Sequence, residues 1–150
     1  MTLEIHVAQG HCPDTRWSLI LREATESTCT IYTTELETTT KIPRYDHEVH
    51  EDVPFPPAHL SLTLVATIPE DKFLKFETGC VFGTWPGPSQ HYVVRVLYQM
   101  LGREYVKMAQ SCVEDFRYLA DYEEGEENVR DGYYVEKDRE FYEQADQCST

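Results

Sequence analysis

The chain has 150 residues, the size of one ordinary domain, and 41% of them are hydrophobic, enough for a single core. Thirteen Lys and Arg against twenty-seven Asp and Glu leave a net charge of −14, which repels phosphate backbones and anionic headgroups and speaks against nucleic acid and membrane surfaces as partners. Thirteen of the acids and four of the bases fall in residues 114–150, so the last quarter is an acidic appendage on a better balanced body.

In chain order, Leu3 to Val7 alternates apolar and polar residues and predicts a short strand. Gly10 to Thr15 carries turn residues, and Arg16 to Leu21 predicts a second, more buried strand. After a turn over 23–27, Thr28 to Thr34 is rich in β-branched residues and predicts a third strand. The short connections make an antiparallel meander. Residues 35–59, with Pro43, Pro54, Pro56 and Pro57, read as a long polar loop with room for one extended segment. Leu60 to Ile68 has period two between Pro57 and Pro69 and is the best strand in the chain. Pro69-Glu70-Asp71 opens a short helix to about Thr78, because proline fits a first turn and acids favour its positive end. A loop from Gly79 to Pro88 leads to the clearest helix, opened by Ser89, with Val93, Val96, Leu97, Met100 and Leu101 at helical spacing and Gly102 as its stop. Val113, Phe116, Leu119 and Ala120 mark another amphipathic stretch before the acidic, tyrosine-rich end. The expected fold class is α+β, an antiparallel sheet packed against one main helix, divided as residues 1–112 and an acidic, partly helical extension over 113–150.

No run approaches the ~18–20 apolar residues of a membrane span, and the first residues lack the basic and apolar regions of a signal peptide. Cys12, Cys29, Cys80, Cys112 and Cys148 are odd in number and none stands at C-x-x-C spacing. Free thiols in a cytoplasmic chain are the simplest expectation, with Cys148 the most exposed.

Arg16-Trp17-Ser18-Leu19, Thr67-Ile68-Pro69 and Ser89-Gln90-His91-Tyr92-Val93, in this order of elements, resemble segments of a fungal family with a circularly permuted papain-like fold, akin to NlpC/P60- and LRAT-type proteins. The likeness runs from about Leu3 to Val106. It implies a thiol nucleophile at the start of the main helix, a histidine base before the tryptophan of the second strand, and a polar third member on the third strand, where Thr33 stands. This chain has Arg16 in place of the histidine and Ser89 in place of the cysteine. Arginine accepts no proton at physiological pH, and a serine hydroxyl without a base is a poor nucleophile. His91, two residues along a helix from Ser89, points elsewhere and is a weak substitute base. The resemblance therefore implies a groove without thiol-hydrolase chemistry.

The candidate catalytic residues are Arg16, Ser89 and His91. The simplest role of Ser89 is a helix N-cap, and that of Arg16 a surface cation. Were they to meet, an arginine beside a helix N-terminus would suit a carboxylate or an enolate-like oxygen. The candidate ligand contacts are Trp17, Tyr32, Thr33, Trp85 and Gln90. Trp17 and Tyr32 are most simply core residues, and Trp85 sits in the loop that would border the groove. His47, Glu48, His50, Glu51 and Asp52 cluster, but the spacing is not H-E-x-x-H and no helix is expected there, so no metal site is expected. His6, His11 and His59 read as packed or surface histidines. No phosphate loop, dinucleotide fingerprint or zinc pattern is present, and no cofactor is expected. Tyr133, Tyr134, Phe141 and Tyr142 give the acidic end an apolar side that could dock on the domain or on a second copy of it.

Two functions are compatible with these residues, and a third, serine hydrolysis through Ser89, needs a base within ~3 Å of its hydroxyl. One is a degenerate papain-like domain that binds a small organic molecule or peptide in its groove. The other is a cofactor-free cyclase, isomerase or lyase of fungal secondary metabolism, working by acid–base and arginine electrostatics in the same groove. The enzyme needs a water-poor pocket holding Arg16 beside a perturbed His, Glu or Asp; the binder needs an apolar groove without such a pair.

Overall fold

A computed structural model describes residues 1–11, 14–39, 44–122 and 132–148, and among them the side chains of all but 121, 122, 132–138 and 148. Cys12, Pro43, and the side chains of Tyr133, Tyr134 and Cys148 lie outside the described residues.

Six strands make one antiparallel sheet: β1 (Thr2–Gly10), β2 (Trp17–Glu23), β3 (Thr28–Glu37), β4 (Arg44–Pro54), β5 (Leu60–Pro69) and β6 (Lys107–Met108), in the order β4-β3-β2-β1-β5-β6. β1 to β4 form the expected meander, continued by one strand. The β1–β2 turn closes where the Gly10 amide donates to the Arg16 carbonyl at 2.9 Å. A side chain at Gly10 would put its Cβ 2.3 Å from the Asp14 carbonyl, so the tight return requires glycine there.

The segment over 35–59, expected as a long loop with room for one extended segment, holds the eleven-residue strand β4. Its prolines bound the strand or follow it, and its alternation is hidden because an edge strand bears polar side chains on its open face. Leu36 pairs with Tyr45, Thr34 with His47 and Tyr32 with Val49. The connection to β5 crosses the other face of the sheet. There the Phe55 ring lies 5.4 Å from that of His6 and 4.0 Å from the Arg22 guanidinium, beside a small cluster of Ala8, Ile20 and Cys29.

After β5 come one 3-10 turn (Glu70–Lys72), the short helix α1 (Phe73–Phe76) and a π turn (Glu77–Val81). Then follow α2 (Ser89–Leu101), α3 (Gln110–Tyr122) and α4 (Gly132–Cys148). α2 is buried from Ser89 to Leu97 because the sheet covers one side and α3 and α4 the other. The main core lies between sheet and helices and joins Ile5, Val7, Trp17, Leu19, Tyr32 and Ile68 to Phe76, Tyr92, Val93, Leu97 and Met100. α3 starts ahead of the 112/113 boundary and adds Val113, Phe116 and Ala120 to the same core. Tyr142 of α4 is 7% exposed and belongs to it too.

Candidate functional site

At the N-terminus of α2, Pro88 rather than Ser89 holds the cap position. Ser89 Oγ instead accepts the backbone amide of Trp17 at 3.0 Å. One strand over, Thr33 Oγ1 donates to the Trp17 carbonyl at 2.7 Å, and Thr34 Oγ1 donates to the Gly87 carbonyl at 2.6 Å. Gln90 Nε2 donates to the Thr15 carbonyl at 3.0 Å. These bonds tie the start of α2 to β2 and β3. Ser89 and Gln90 are both 0% exposed, so this end of the helix is closed over.

Arg16 precedes Trp17 and is therefore near Ser89 along the backbone, but its guanidinium turns outward to Asp14, with contacts of 3.3 and 3.4 Å. Burial opposes the Asp14 charge, and the amide and guanidinium of Arg16 outweigh it, holding the carboxyl below its ordinary value. His91 faces the other way: its Nδ1 is hydrogen-bonded to the Tyr142 hydroxyl of α4 at 2.8 Å. Ser89 thus meets the Trp17 backbone, Arg16 meets Asp14, and His91 meets the acidic extension.

Trp17 packs edge-on against Phe116 at 5.8 Å. Tyr32 donates its hydroxyl to Glu77 Oε2 at 2.8 Å; burial and that carboxylate push its phenol far above its ordinary value, so it stays protonated. Trp85 is half-buried, with the Arg95 guanidinium 3.5 Å from its ring centroid and Arg95 Nη2 donating to its carbonyl at 3.2 Å. Arg95 is 0% exposed and went unnoticed in the sequence, where it sits among the valines of α2 like a surface residue. His47, in sequence part of a polar cluster, has a structural place. It points from β4 toward α2, donates Nε2–H to the Thr84 carbonyl at 2.9 Å, and meets the rings of Phe82 and Tyr92 at 5.4 and 5.5 Å. Glu48 and His50 face the opposite way and bond to each other. Among the described residues no group of three or more His, Cys, Asp or Glu could hold a metal ion.

An open cleft of about 620 Å³ lies elsewhere, between the C-terminal half of α2, α3 and α4. Tyr98, Leu101, Tyr118 and Phe141 supply apolar walls, with Gln99, Gln110 and Gln144 among them. Arg117 organises one side. Its Nη1 donates to Asp146 Oδ1 at 2.7 Å and to the Tyr98 hydroxyl at 3.1 Å, its Nη2 to Asp146 Oδ2 at 3.2 Å, and its guanidinium lies 4.4 Å over the Tyr142 ring. The hydrogen bonds from Arg117 hold the Asp146 carboxyl below its ordinary value. No sequence pattern marks the cleft, because its walls come from three helices whose relative placement no local pattern encodes.

No family model, curated protein or solved structure matches the chain. The fold and its sites stand on their own geometry: an α+β domain with a six-stranded antiparallel sheet and, among the described residues, four helices.

Proposed function

We propose that this is a binding domain without hydrolase chemistry, built on a papain-like arrangement, which holds a small, neutral organic molecule or short peptide in the cleft between α2, α3 and α4. The observation that carries the reading is Ser89: its hydroxyl is 0% exposed and serves as acceptor for a backbone amide. A nucleophile must reach its substrate, and Ser89 is closed to solvent behind the start of the helix. The bond of Ser89 at the α2 start to Trp17 on β2, and of Thr34 on β3 to Gly87 just before the helix, supports the papain-like part of the reading, since the resemblance implies that these elements converge.

Binding is favoured over cofactor-free catalysis by where the perturbed groups lie. The hydrogen bond to Glu48 raises the proton affinity of Glu35, and Arg16 acts on both carboxyls. But Glu35 is on the surface, not in the water-poor pocket that acid–base catalysis requires. The cleft has the aromatic and aliphatic lining with a few polar groups that organic ligands prefer, and a size within the ~300–1,000 Å³ of such sites. Its one arginine already holds Asp146 in a bidentate pair, and Glu114 stands beside it. Uncharged amides and aromatic rings therefore fit better than anions.

Gly102 provides the test. It lines the cleft with φ −86, and a Cβ there meets nothing within 4 Å, so Gly102→Trp fills the cleft without straining the backbone. In a thermal-shift and NMR screen of neutral aromatic amides and end-blocked dipeptides, ligands should stabilise the wild type and not Gly102→Trp. Equal stabilisation of both would place the ligand elsewhere. Hydrolysis of p-nitrophenyl acetate that disappears in Ser89→Ala would overturn the non-hydrolytic reading.

A further inference from the structure

The long edge of the sheet is β4, and among the described residues no strand pairs with its outer side. The opposite edge, β6, has two residues. An edge strand turns the N–H and C=O groups of alternate residues outward, a template for another extended chain. The regular part of β4 is Arg44 to His50. Beyond it, the register shift between Cys29 and Ile31 and the φ of 55 at Asp52 bend the strand away.

The two faces of this edge differ. Toward the helices, Val49 is 36% and Phe82 43% exposed, with His47 against the Phe82 ring, so a shallow apolar shelf borders the strand. On the other face stand Asp46, whose carboxylate lies 3.7 Å from the Arg44 guanidinium on the exposed surface, and Glu48, bonded to His50, with the exposed Glu35 of β3 behind them. β4 carries four acids and one arginine.

We propose that the outer edge of β4, over Arg44 to His50, receives an extended, lysine- or arginine-bearing segment of another protein as an added strand. Side chains of such a segment alternate in direction. Its cations would meet Asp46 and Glu48, and its intervening apolar residues the shelf of Val49 and Phe82. Backbone pairing gives the affinity and the alternating contacts the selectivity. A second copy of this chain is the wrong occupant. Pairing β4 with itself would bring Asp46 and Glu48 near the same acids, and like charges across a ladder repel. The surface is separate from the α2–α3–α4 cleft, and its occupation does not depend on what the cleft holds.

The probe is an end-blocked peptide, Thr-Lys-Val-Lys-Val-Lys-Thr, labelled for fluorescence anisotropy and followed by hydrogen–deuterium exchange of the full chain. Two companions complete the set: the same peptide with its pairing amides N-methylated, and one with glutamate for lysine. Saturable binding with protection confined to residues 44–50 is expected. The double variant Asp46→Lys, Glu48→Lys should bind the lysine peptide about tenfold or more weakly, as reversal of two exposed charge pairs implies, and should gain affinity for the glutamate peptide. If that variant melts far below the wild type, Asp46→Asn with Glu48→Gln takes its place, with lysine-peptide binding weakened about threefold or more as the expected result. Absence of protection over 44–50, equal binding of the N-methylated peptide, or self-association through β4 in sedimentation would each overturn the proposal.

Discussion

Removing the Ser89 hydroxyl separates a structural role from a chemical one. In Ser89→Ala the backbone amide of Trp17 loses the acceptor it holds at 3.0 Å. Both residues are closed to solvent, Ser89 at 0% and Trp17 at 1% exposure, so water does not readily replace the lost oxygen. A buried donor left without a partner costs about 1–3 kcal/mol. For a domain of this size each kcal/mol lowers Tm by about 2–4 °C, so a loss of roughly 2–12 °C is expected. The assay is a pair of urea titrations with a calorimetric melt. The midpoint should fall with an unchanged slope, because the unfolded surface stays the same. Ser89→Cys, with a weaker acceptor, should fall between serine and alanine. An unchanged midpoint in Ser89→Ala would refute the reasoning, since the Trp17 amide would then have no need of this hydroxyl.

Further outcomes follow from α4 and the glycines. Tyr142→Ala should release α4 from the body and speed hydrogen exchange over 139–147; a buried aromatic is worth about 3–5 kcal/mol, with the docking energy of α4 itself as the ceiling. The Asp146 carboxyl is depressed by Arg117, so its contribution is complete above the ordinary carboxylate pKa and is lost as pH falls through the lower folded value. Acidification below about pH 4 should therefore loosen α4 in the wild type and do less in Asp146→Asn, an effect under about 1 kcal/mol because the pair is half exposed. Gly83→Ala should destabilise by about 1–3 kcal/mol, since its Cβ would lie 2.3 Å from the Gly79 carbonyl. Gly102→Ala should stabilise by about 0.4–1 kcal/mol through the unfolded chain; thermal melts of the two variants check both signs.

Most of the frame was legible in the sequence because it is written in local periodicity. The alternation of Leu60 to Ile68 marks β5, and the spacing of Val93, Val96, Leu97 and Met100 marks the helix buried against the sheet. Turn residues mark the first hairpins. β4 was obscured because one of its faces is open to solvent, so Asp46, Glu48 and His50 hide the pattern that Tyr45, His47 and Val49 would otherwise display. Functional geometry depended on contacts between residues far apart in the chain. Nothing near Ser89 tells that its hydroxyl is committed to Trp17, seventy-two positions away, or that His91 turns to Tyr142 rather than toward Ser89. Nothing near Arg117 tells that it meets Asp146 at the rim of a cleft. Short-range order follows from backbone preferences and burial patterns that each segment carries by itself. Which side chains meet, and which surface remains open, is set when the helices pack onto the sheet.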